Sequence, residues 1–293
     1  MKNVLFASTA LVLSAGVAAA EVTVGGDGRM GILYGENAAG TDEFSFTSRI
    51  RISFSASGET DGGLQFGGSI RADNAAAGTA GTAGSVFVSG AFGKLSMGDV
   101  DGGGKAAVGQ VSGVGLTGLG DLNEITYLST PTDPAVLYEY AIGDATIYAS
   151  VDQINDGVDA YGVGVNYTFG TYTASLGYES VDGLGDHTIL GLSAGFGDVT
   201  VKAVYGDFSG DVAGTDFDQY AVSVDYAMGP LVVTGFIQSD DADALVDDED
   251  LNYGLGASYD LGGGASLKGG IAHDGDAASD SDMVADFGIS MSF

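Results

Sequence analysis

Residues 283–293 alternate almost without a break. Met283, Ala285, Phe287, Ile289, Met291 and Phe293 are apolar, and the positions between them are small or polar except for Val284. A period of two belongs to a β-strand with one dry and one wet face. The same pattern returns along most of the chain, so each strand's apolar face needs either a second sheet or lipid to meet.

Sixteen segments carry the pattern. They fall near 22–34, 44–57, 64–72, 85–92, 95–97, 135–141, 145–152, 160–169 and 172–179, then near 188–196, 199–206, 219–228, 231–238, 251–261, 265–273 and 283–293. Their connections alternate in length. Short turns at 58–63, 93–94, 142–144, 170–171, 197–198, 229–230 and 262–264 alternate with longer loops. The long ones lie at 35–43, 73–84, 100–134, 153–159, 180–187, 207–218, 239–250 and 274–282.

Keeping every long, polar loop at one end is the asymmetry of a transmembrane β-barrel. Tyr34, Phe169, Tyr172, Tyr226 and Phe293 sit toward strand ends, as interfacial girdles require. Hydrocarbon leaves no partner for an open edge, so the sheet must close on itself. The expectation is an all-β fold, a sixteen-stranded antiparallel transmembrane barrel with short periplasmic turns and long outer loops. Its lumen is too wide for side chains to fill, and the third long loop, 100–134, is long enough to fold into it.

Composition supports this and excludes other classes. Residues 1–20 combine Lys2, a short apolar run and small residues before Glu21, which reads as a cleaved signal peptide. The barrel domain is then 21–293, and the protein leaves the cytoplasm. The chain has no Cys and no Trp, which removes disulfides and thiolate chemistry. A formal charge of −31 with no basic stripe excludes nucleic acid as a partner. Mean hydropathy is nonetheless positive, as half-apolar strands make it.

The few basic residues are not scattered. Arg29, Arg49, Arg51 and Arg71 all have odd numbers, whereas the apolar partners in the first three strands are even. The four therefore face the lumen. Hairpin centres near 40 and 61 would set Arg29 opposite Arg51 and Arg51 opposite Arg71, on strands roughly 4.8 Å apart. Like charges in that arrangement repel unless water and acids intervene. Carboxylates of the third loop, Asp101, Asp121 and Glu124, with Asp99 just before it, would face this ladder as the second half of a charged constriction.

Several stretches carry a family resemblance: GRMG at 28–31, FTSRIR at 46–51, FVSGAFGK at 87–94, GASYDLGGG at 256–264 and SDMVAD at 281–286. They resemble the trimeric general-diffusion porins of alphaproteobacteria, the purple-bacterial type. The resemblance implies sixteen strands, a homotrimer in outer-membrane lipid and lipopolysaccharide, a third loop in the pore, and passive passage of ions and small hydrophilic solutes. It also implies a wall of arginines at Arg29, Arg49, Arg51 and Arg71 facing acids on the loop. The loop departs from that pattern in being Gly-rich, sparse in acids and in carrying Lys105. Strands one to five and the sixteenth, with small residues in the neighbouring 73–84 loop, are expected at the subunit contact.

No cofactor is required for such a channel and no enzyme activity is expected. Acidic clusters including Asp240, Asp241, Asp247 and Asp248 on one loop, and Asp274 and Asp276 on another, suit Ca²⁺ or else form a solvated acidic face. His187 is expected at the outer mouth and His273 on the lipid side, with no Ser nucleophile to pair with either. Two rivals stay open: a plugged adhesion or structural barrel, and a secreted acidic Ca²⁺-binding β-protein.

Overall fold

The computed structural model describes residues 21–36, 42–73, 84–128, 135–152, 159–240, 251–275 and 283–293. Five strands come first: β1 (Glu21–Glu36), β2 (Asp42–Glu59), β3 (Gln65–Asp73), β4 (Ser85–Gly90) and β5 (Gly93–Gly98). A helix, α1 (Gly103–Val108), lies in the connection to β6 (Ala135–Ile142), β7 (Ala145–Val151) and β8 (Ala160–Phe169). Then follow β9 (Tyr172–Val181), β10 (Gly185–Phe196), β11 (Val199–Gly210) and β12 (Phe217–Met228). The last four are β13 (Leu231–Ser239), β14 (Leu251–Gly262), β15 (Ala265–His273) and β16 (Met283–Ser292).

Each strand pairs antiparallel with its sequence neighbours, and β1 pairs with β16, so the sheet is a closed barrel of sixteen strands. Joining the first strand to the last leaves the sheet without an open edge strand, as hydrocarbon demands. The alternation sorts the faces as expected. Phe46 is 93% exposed, and Ile32, Ile70, Leu192, Leu255 and Phe287 are exposed with it on the outside. Such a continuous apolar exterior is a lipid-facing surface.

The connection expected at 35–43 is reduced to 37–41, the turn expected at 93–94 falls at 91–92, and two further loops differ more. Strands β9 and β10 run on until only 182–184 separate them, where 180–187 was expected as a long loop. Gly183, at φ 75°, makes that turn, and Leu184 N–H closes it on the Val181 carbonyl. The 207–218 connection likewise shrinks to 211–216. The strands continue because their inner faces stay dry there. His187 and Phe208, inside the extensions, are buried with their rings 6.4 Å apart, and next to them Ile189, Val204 and Ala221 form a cluster with Val111, Ile125 and Tyr127 of the third loop. A ladder with apolar backing on its lumen side has no reason to end.

Candidate functional site

The inner faces of β1, β2 and β3 carry the four arginines, but in a different register from the one expected. Arg29 pairs with Arg49, not Arg51. Arg51 stands between Asp27 on β1 and Asp73 on β3, and Arg71 stands opposite Ser53. The direct Arg51–Arg71 apposition therefore does not exist. Asp73 binds Arg71 through both carboxylate oxygens, at 2.7 and 3.1 Å, and also accepts from Arg51 Nε at 3.1 Å. Asp27 reaches Arg49 at 3.4 Å. Wall acids interleaved with the arginines thus offset the repulsion that a bare ladder would suffer.

Asp27 and Asp73 went unassigned in the sequence reading. Their signal was the same odd parity that placed the arginines on the lumen side. Lys268 on β15, also on the inner face by parity, is a further wall cation.

The third loop lies inside the lumen along the wall from β7 round to β16. Helix α1 packs on β7, β8, β9 and β10. Gly103 N–H donates to Ser150 Oγ at 2.7 Å, and the fully buried Glu179 on β9 accepts from the N–H groups of Lys105 and Leu128. Further along, Ser112 N–H donates to Ser223 Oγ and its hydroxyl to Asp225. Thr126 N–H donates to Gln219 at 2.6 Å. Asp286 on β16 accepts three hydrogen bonds, from Leu116 N–H, Thr117 N–H and Thr117 Oγ1, at 2.7–2.8 Å. Wall carboxylates and amides so take up backbone donors that the irregular loop would otherwise bury unpaired.

Between those side chains the wall under the loop carries glycine where the loop comes nearest. A Cβ placed on Gly177 would lie 2.8 Å from the Cα of Gly104, and one on Gly256 would lie 2.8 Å from Val114 Cβ. Gly164 would collide with Ala107, and Gly288 with Leu116 Cδ2. Glycine here makes room for the loop's backbone at Gly103 and Gly104 and for its side chains at Ala107, Val114 and Leu116, rather than supplying unusual dihedrals.

The structure divides the expected loop acids into two groups. Asp99 shares a recess with Arg71. Asp101 pairs with Lys105 at 3.2 Å, and Glu124 lies within electrostatic reach of that pair and of Asp121. Partial burial, then Asp121, then Asp101 push the Glu124 carboxyl above its usual range, against the opposing pull of Lys105. Among the described residues, no ion pair joins Asp101, Asp121 or Glu124 to the arginines. The loop meets the arginine row through a carbonyl instead: Arg29 Nη1 donates to Thr117 O at 3.4 Å.

His187 is not at the mouth. It is fully buried on the inner face of β10, with its ring 6.2 Å from that of Tyr127 and 6.4 Å from that of Phe208. The strand extension that shortened the 180–187 loop carried it inside. His273 stacks on Tyr253, which is exposed on the outer face, as expected. Of the calcium candidates, Asp240 accepts from Gln238 Nε2 at 2.7 Å and Asp274 borders a recess beside Thr117 and Leu119. Asp241, Asp247, Asp248 and Asp276 lie outside the described residues.

The comparisons agree with one another. Residues 7–279 match the family described as Gram-negative porin. A porin of Rhodobacter capsulatus is 40% identical over 275 residues, covering 81% of this chain and 89% of that one. A refined porin structure is similar with a TM-score of 0.76 at 37% identity, over 93% of this chain and 100% of the other. A mutant of the Rh. blastica porin gives 0.72 at 24% identity over the same shares, a likeness of fold.

Proposed function

The chain belongs to the Gram-negative porin family, and on that premise we propose how its lumen sorts solutes. The protein is an outer-membrane general-diffusion porin, and as a channel it moves solutes down their gradients. The observation that carries the finer reading is the seating of the third loop against β7–β10, β12 and β16, which leaves the passage between that loop and the charged wall of β1–β3.

In this reading Arg29, Arg49, Arg51 and Arg71, with Asp27, Asp73 and Asp99 among them, form one side of the constriction. Asp101, Asp121 and Glu124 line the other. Size is limited by the gap, and the unequal charge of the two sides orients dipolar solutes without holding them tightly. Apolar solutes are disfavoured because they disturb the water ordered by those charges. No reaction and no cofactor enters the mechanism.

The family resemblance supports a homotrimer in contact through β1–β5 and β16, embedded in lipid and lipopolysaccharide, after removal of residues 1–20. Asp240, Asp241, Asp247, Asp248, Asp274 and Asp276 are the residues from which outer-surface Ca²⁺ binding would be drawn. The excess of acids at the mouth concentrates cations, so the channel has a mild cation preference that fades as salt shortens the Debye length. Planar-bilayer recording in a salt gradient tests this. Stepwise conductance with a cation-selective reversal potential at low salt is expected, and an anion-selective potential overturns the charge assignment.

A further inference from the structure

One polar recess of the lumen wall has a composition suited to a particular solute. Arg71 and Asp99 border it together with Ser53, Ser55, Ser69 and Ser85, in a volume of about 370 Å³. The register explains the grouping. Ser55, Ser69 and Ser85 are direct cross-strand partners on β2, β3 and β4, so three hydroxyls stand in one row on the inner face. Ser53 and Arg71 are partners one step along. Asp99 is fixed beside them by its own N–H, which donates to the Gly84 carbonyl at 3.1 Å.

The charged groups are only partly used. Asp73 occupies the Nε and Nη2 edge of Arg71, which leaves the Nη1 edge without a partner among the described residues. The Asp99 carboxylate has no hydrogen-bond or ion-pair partner among them either, although it lies within electrostatic reach of Arg71. The recess therefore offers one free cationic edge, one free carboxylate and a row of hydroxyls. Water molecules take about 30 Å³ each, so the volume holds a small solute with part of its hydration.

We propose that this recess is a weak subsite for small zwitterions of the amino-acid type. Arg71 takes the solute's carboxylate, Asp99 its ammonium group, and the serine row its polar side chain. A net-neutral solute bearing both charges satisfies both free groups, whereas a simple ion leaves one of them facing its own sign. The proposal rests on the porin reading, since it needs solute inside an open lumen.

The test uses the full-length protein in planar bilayers, with L-serine as probe and glycerol as the uncharged control. L-serine should lower ionic conductance along a saturating curve with half-saturation in the millimolar range, while glycerol lowers it only in proportion to its concentration. Asp99→Asn should weaken the L-serine effect about tenfold, since a charge-assisted hydrogen bond is lost. Ser69→Ala, which keeps both charges, should weaken it about threefold through one neutral hydrogen bond. Channels that conduct but respond to L-serine no differently from glycerol overturn the subsite, as does wild-type saturation in both variants. A protein that forms no conducting channel overturns the porin reading instead.

Discussion

The two halves of the lumen use carboxylates in opposite ways. On β1–β3, Asp27 and Asp73 are partly open to water and bonded to arginines. On β9 and β16, Glu179 and Asp286 are buried and bonded to backbone N–H groups of the loop, with hydroxyl help at Asp286. The first pair shapes a field that a passing solute feels. The second pair holds a structure in place and is hidden from the solute. A carboxylate's sign says little about its role until its donors are known.

Four experiments test that division. The largest effect should come from Gly164→Val, which drives a side chain into the space held by Ala107 and Gly103. Overpacking costs about 1–3 kcal/mol, and here it falls on the docking of α1. Single-channel conductance and the solute size limit should both rise, and an unchanged channel would mean that the loop does not set the passage. Asp286→Ala comes next. Each buried N–H left unsatisfied costs about 1–3 kcal/mol, so the loop near Thr117 should become cleavable by added protease while the barrel stays intact.

The third experiment moves to the open wall. Asp27→Asn with Asp73→Asn removes two negative charges beside the arginines and should shift the reversal potential toward anions. Exposed ion pairs add little to stability, so the unfolding midpoint should barely move; a large drop would make these acids structural after all. The smallest effect concerns pH. Because burial raises the Glu124 carboxyl, its charged form opposes folding, a penalty relieved as pH falls through its raised pKa. Acidification should neutralise it before carboxylates in the usual range, weakening cation preference first. Glu124→Gln should remove that early step from a plot of selectivity against pH.

Faces were legible in the sequence and partners were not. Every inward assignment of the arginines followed from parity, which a hairpin preserves. The expected centre of the first hairpin was 40, but Glu36 pairs with Asp42, which centres it at residue 39. The second was placed at 61, whereas Arg51 pairs with Asp73. Moving a turn by one residue slides the pairing by two, so the same side chains face the lumen with new neighbours. That slip hid Asp27 and Asp73. The glycine contacts were not legible either, because Gly in a sequence signals turns or bulges, and nothing local marks Gly164, Gly177 or Gly256 as positions crossed by the third loop.

The glycines under the loop also bear on how well the opening is gauged. Where Gly104 seats on Gly177 and Gly103 on Gly162, the spacing is set by contact of one backbone on another, not by rotamers that flip in nanoseconds. The loop's edge of the aperture behaves like a machined stop, even where the arginine edge is a brush. The position of that edge should hold across temperature, and the current through one open channel should carry no noise from loop motion.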